Sequence, residues 1–176
     1  MAHKDNESGL EQAAHKVMDT VGGMMGKAGA YLTDSAEGFV TNAAISDMYE
    51  IEAARIAQQR STSPVVLQVA ERMIRDHTDT TLKLQDAVAR SAKVGPEAIP
   101  NELDSRRASL VRHLLDSPAD SFDKMYLDQQ TLAHEEAVTL VTHYRDQGDD
   151  PVLRAHAAEA VPIFESHLQN IKQIER

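Results

Sequence analysis

The chain has 176 residues, 41% apolar and 26% charged, which fits one folded domain and excludes a disordered polymer. With no cysteine, thiolate metal sites, thiol nucleophiles and disulfides are excluded. A formal net charge of -10, with no run of Lys or Arg, argues against nucleic acid as a partner, and no apolar stretch is long enough to span a membrane.

Aromatic residues are only 4% of the chain and Trp is absent, so the core must be built mainly from Ala, Leu, Val, Ile and Met. That is a helical diet. Residues 1–9 are polar and are expected to be disordered. The N-terminus shows no basic start followed by an apolar core, so the expected location is cytoplasmic, or periplasmic if a leader was removed. Residues 10–32 carry an apolar stripe of Leu10, Ala14, Val17, Val21, Met24, Met25, Ala28 and Leu32. Gly22, Gly23, Gly26 and Gly29 interrupt it, each costing about 0.8–1 kcal/mol of helix stability relative to Ala. Residues 1–34 therefore read as a glycine-rich amphipathic arm. It is either a mobile extension or a helix that packs closely on a partner helix or a membrane surface, with homo-oligomerisation as one outcome.

From Ser35 onward the periodicity is helical throughout. A first segment, 35–60, opens at Thr33-Asp34-Ser35 with Glu37 in its first turn. A second opens at Ser63-Pro64 and runs to about Val94, before Gly95-Pro96. A connection of about 20 residues follows, with a short helix near 102–116. A third segment is predicted from Ser117-Pro118 to Gln147, and a fourth from Asp150-Pro151 to the C-terminus, with Pro162 inside it expected to kink it. No strand alternation is present. The pattern predicts an all-α domain over 35–176: a four-helix bundle whose one long connection joins helices two and three, the connectivity of ferritin-like folds.

The chain has eight histidines. His77, His134 and His167 lie in the middle of segments two, three and four. Apolar residues four or seven positions away share their faces: Met73 and Leu84 near His77, Val138 and Val141 near His134, Ile163 and Ile171 near His167. Helical geometry turns all three imidazoles inward. Segment one offers Glu50 and Glu52, about 200° apart on a helix, so only one of them can face the same point. Three imidazoles and a carboxylate suit Zn, Fe, Mn, Ni or Cu without choosing among them. Asp76 and Glu165 point away from their neighbouring histidines on an ideal helix. Glu135 and Glu136 read as solvated surface. His143 is on the opposite face from His134, His156 shares the face of His167, His113 belongs to the connection, and His3 and His15 belong to the arm.

Residues 37–174 carry, in order, Phe39-Val40, Glu50-Ile51-Glu52, Ile56-Ala57, Ser63-Pro64, Arg72-Met73, Asp76-His77, Leu103-Asp104, Phe122-Asp123-Lys124, Tyr126, His134-Glu135, Asp150-Pro151-Val152-Leu153, Pro162 and His167-Leu168. In these residues the sequence resembles the bacterial domain-of-unknown-function 4142 family, which is grouped with the ferritin-like superfamily. It implies a four-helix ferritin-like bundle with His77, His134 and His167 as signature histidines. Glu50 matches the acid on the first helix, and Glu52 a looser position. A carboxylate-bridged di-iron site needs an acid three residues before its histidine. Here those positions are Ile74, Thr131 and Phe164, so no standard ferroxidase centre is expected.

The expected function is binding of a divalent metal, Zn or Fe, by Glu50 or Glu52 with His77, His134 and His167, in metal handling or stress response. The alternative is a non-catalytic interaction or oligomerisation module whose histidines are structural. An acid sensor built on buried histidines is a further reading.

Overall fold

A computed structural model describes residues 2–30 and 32–175, with side chains described from Ala13 onward. The regular structure among the described residues is helical: α1 (Ala2–Ala30), α2 (Ala36–Arg60), α3 (Pro64–Arg90), α4 (Ser105–Asp116), α5 (Phe122–Gln147) and α6 (Pro151–Ile174), with one 3-10 turn at Pro96–Ala98.

The helix starts follow local chemistry. Ser35 Oγ accepts the Gly38 amide at 3.2 Å, Asp104 Oδ1 accepts the Arg107 amide at 2.7 Å, and Asp150 Oδ1 accepts those of Val152 and Leu153 at 2.8 and 3.0 Å. Each satisfies amides that the first turn leaves free. Pro64 and Pro151 occupy first helical positions, as predicted. The third cap-and-proline signal differs: Pro118 begins a turn, closed by the Ser121 amide on the Pro118 carbonyl, and α5 starts only at Phe122. Ser117 instead serves as the C-cap of α4. Arg60 at the end of α2 accounts for this stop: its guanidinium donates to the carbonyls of Leu115 and Ser117 at 2.9 and 2.5 Å, and lies 4.8 Å from the Phe122 ring centroid. Helix α6 continues through Pro162.

Helix α2 packs on α3 and α5, and α6 packs on α5 and α3, so these four helices close a ring. Helix α4 rests on α2 and α5. Helix α1 lies along α5 and touches α4. It is helical from Ala2, where the polar composition predicts disorder; residues 2–14 include strong helix formers such as Lys4, Glu7, Glu11, Gln12 and Ala13. Position 1 lies outside the described residues. Gly26 explains how close α1 comes to α5: a Cβ there would stand 2.2 Å from Glu136 Oε2 and 2.8 Å from Arg106 Nη2.

The apolar core is in two halves. One gathers Phe39, Leu84, Leu140, Tyr144, Leu153 and Phe164; the other gathers Tyr49, Met73, Leu114, Phe122, Tyr126 and Ile171. His77 follows Met73 and precedes Leu84 on α3, and His167 lies between Phe164 and Ile171 on α6. A buried polar layer thus separates the two halves: Asp47, Glu50, His77, Thr80, Gln130, His134 and His167.

Candidate metal centre

His77, His134 and His167 are 0%, 1% and 0% exposed, and each reaches the layer from a different helix. One nitrogen from each ring lies within 4.8 Å of the other two. His134 Nε2 is 3.5 Å from His77 Nε2 and 3.2 Å from His167 Nδ1. A tetrahedral ion with metal–nitrogen bonds of 2.0–2.1 Å separates its ligands by about 3.3 Å. These two edges already have that length.

The far nitrogen of every ring is anchored. His77 Nδ1 is 2.8 Å from Asp47 Oδ1, while Asp47 Oδ2 accepts from Thr80 Oγ1 at 3.0 Å and Thr81 Oγ1 at 3.2 Å. His134 Nδ1 is 2.9 Å from the Gln130 carbonyl oxygen. His167 Nε2 is 2.9 Å from Asp76 Oδ2. Each of these acceptors takes an N–H, which fixes the tautomer and leaves a lone pair on the opposite nitrogen. With all three rings neutral, three lone pairs face one point in a buried space. That arrangement is repulsive unless a proton shared between the rings, or a bound cation, sits among them. The Phe164 ring stacks on His77, centroids 5.2 Å apart, and its centroid is 6.4 Å from that of His134 and 6.3 Å from that of His167, which keeps this side of the layer apolar.

Burial and mutual charge set the protonation of the layer. Burial holds the His134 pKa well below the usual imidazole value, reinforced by the neighbouring charges of His77 and His167. Burial lowers His167 to about 4, against the opposing pull of its Asp76 hydrogen bond. For His77 burial also acts downward, but the hydrogen bond and charge of Asp47, with Glu50 and Asp76 behind, outweigh it and raise the pKa. Burial therefore favours neutral, ligand-ready rings at His134 and His167, and His77 is the ring at which a proton competes most with a bound cation.

Of the two candidate acids, Glu50 is the one that faces inward. It is 1% exposed, and its Oε2 accepts Gln130 Nε2 at 2.6 Å. Its Oε1 lies 3.6 Å from His134 Nδ1, behind the ring and away from the three convergent nitrogens, and has no hydrogen-bond partner. Burial raises its pKa to about 7. Glu52 is exposed, so the structure does not bring it to the layer. The acids that hold the imidazoles are instead Asp47, which the spacing of the histidines does not single out, and Asp76, which the sequence places off the face of His77 without revealing its partner. Asp76 points away from its neighbour His77, as helix geometry requires, but reaches His167 across the α3–α6 seam. It also borders an open depression of about 340 Å³ lined with Arg72, Asp79, Pro162 and Ser166. For Asp47, a signal was present: it lies three residues before Glu50, on the same inward face.

A family described as a domain of unknown function, DUF4142, matches residues 23–174. The chain belongs to the DUF4142 family. No curated protein and no solved structure matches it. The DUF4142 region contains the whole three-histidine layer and begins inside α1, at Gly23.

The remaining histidines of this DUF4142 chain do other things. His113 on α4 is buried and bonded to Asp19 of α1 at 2.6 Å, with His15 stacked on it at 4.0 Å. His156 meets Phe39 edge-on at 6.2 Å. His143 pairs with Asp34 at 2.5 Å. The side chain of His3 lies outside those described. Glu136, expected on the surface, is buried: Arg106 and Arg107 each approach its Oε1 at 2.7 Å and satisfy its charge.

Proposed function

We propose that this chain is a metal-binding protein of ferritin-like, four-helix design that holds one divalent ion, Zn or Fe, through His77 Nε2, His134 Nε2 and His167 Nδ1. The observation that supports this most is the anchoring of all three far nitrogens, which aims three lone pairs at one buried point. The carboxylates of Asp47 and Asp76 offset the charge of the ion from behind the imidazoles. Glu50, behind His134, adds a buried acid that ionises more readily once a cation is present. Three nitrogen ligands leave a fourth position for water or another small ligand. The biological setting we propose is metal handling, distinct from di-iron oxidation.

The competing reading keeps the histidines as structural members of an interaction module, and is favoured by the same satisfied hydrogen bonds. Elemental analysis separates the two. Protein purified without chelators and then reloaded should carry about one equivalent of Zn or Fe, and His134→Leu should carry almost none. Equal and negligible metal in both would leave the structural reading standing.

A further inference from the structure

The two sides of α1 are used in reverse. The face turned to the body holds small and polar residues: Asp19, buried, is bonded to His113 Nδ1 at 2.6 Å and Gln129 Nε2 at 2.8 Å, and Gly23 and Gly26 lie against Leu132 and Glu136. The face turned to solvent holds Val17, Met18, Val21, Met24 and Met25, at 63%, 62%, 52%, 68% and 71% exposure. An amphipathic helix ordinarily buries its apolar stripe. Here the polar seat is specific and satisfied, so the stripe is left for another surface.

We propose that this stripe is a homodimer surface, on which α1 of one chain pairs antiparallel with α1 of a second copy about a two-fold axis through Val21. The pattern is symmetric about that residue. In such a pair Val17 meets Met25, Met18 meets Met24, Val21 meets itself and Ala14 meets Ala28. An isologous interface requires this self-complementarity. No charged residue falls within the stripe. Lys16 and Lys27 flank it and are drawn aside by Asp128 and Glu135 of α5, at 2.8 and 3.7 Å. The exposed side chains amount to roughly 500 Å² of apolar surface per copy, so two copies reach the about 1,000 Å² that a specific interface needs. A net charge of -10 disfavours the rival occupant, an anionic bilayer.

The absence of native cysteine makes the test direct. Full-length Val21→Cys, treated with a short bismaleimide, should be captured as a covalent dimer, whereas Leu82→Cys, exposed on α3, should not. By sedimentation equilibrium the wild type should dimerise, more tightly as salt screens the like charges, and Val21→Glu should weaken the dimer at least tenfold with unchanged helicity. A wild type that stays monomeric at 100 µM overturns the proposal. So does monomeric flotation with phosphatidylserine vesicles that Val21→Glu abolishes.

Discussion

The three imidazoles are alike in burial but unequal in what holds them, and that inequality predicts how each fails. His134 leans on a backbone carbonyl that already serves its own helix, so His134→Leu leaves no buried charge behind. The metal-free variant should match the wild type in denaturant unfolding to within about 1 kcal/mol. His77 faces Asp47, which is 3% exposed. His77→Ala leaves that carboxylate with only two threonine donors, and the metal-free protein should lose about 3 kcal/mol. If the two variants are equally destabilised, the assignment of partners is wrong. Glu50 gives a pH test on metal-free protein. Its pKa is raised from 4.5 to about 7, so it stabilises the fold in its protonated form and that contribution is lost as pH rises toward 7. Glu50→Gln removes the cost of ionising it and should stabilise the protein at pH 8 by about 3 kcal/mol, with little change at pH 4.5. A variant no more stable than wild type at pH 8 contradicts the buried, unpaired state of Oε1.

At the scale of helices, the contact between α1 and α5 rests on a glycine with no room for a methyl group. Gly26→Ala drives a Cβ into Glu136, which cannot yield because two arginines hold it, and about 1–3 kcal/mol of overpacking should appear as faster hydrogen exchange across α1. Gly29, with nothing within 4 Å, is the control: Gly29→Ala should slow exchange in the same helix. Equal behaviour of the two would mean that α1 is not seated as described. Helices were the most legible part of the sequence, because a repeat near 3.6 residues together with caps at Ser35, Ser63 and Asp150 marks both extent and inward face. The inward turn of His77, His134 and His167 follows from that alone. What depends on the relative height of two helices was not legible. Asp76 reaches His167 only because α3 and α6 are aligned in depth, and Glu136 is buried only because Arg106 and Arg107 of α4 close over it. The proline at position 118 misled for a related reason: a cap-and-proline pair opens a helix or closes a turn, and the Arg60 contact with α4 decided for the turn.

Taken as a whole, the molecule splits its own apolar core with a layer of charged and polar groups. Apolar side chains of similar volume would give a continuous core at less cost. The layer therefore makes most sense as a site, and the metal-free protein should show its expense in acid. His167 titrates near 4 when folded against 6.5 in a free chain, and His134 is shifted the same way, so the unfolded chain takes up protons first and stability falls as pH drops from about 6.5 to 4. His77, raised, and Glu50, raised to about 7, act in the opposite direction and flatten the wild-type profile. In Glu50→Gln the acid loss should emerge as a steeper fall in melting temperature below pH 6.5, and adding Zn at pH 7.5 should raise the melting temperature of the wild type but not of His134→Leu. The proposed cation occupies the point on which the three imidazoles converge. Anomalous diffraction at the metal absorption edge, from crystals of protein never exposed to chelator, tests it directly. A single peak is expected about 2 Å from His77 Nε2, His134 Nε2 and His167 Nδ1, and metal-loaded crystals with no peak there, or with their peak at surface carboxylates, would rule out the three-histidine site.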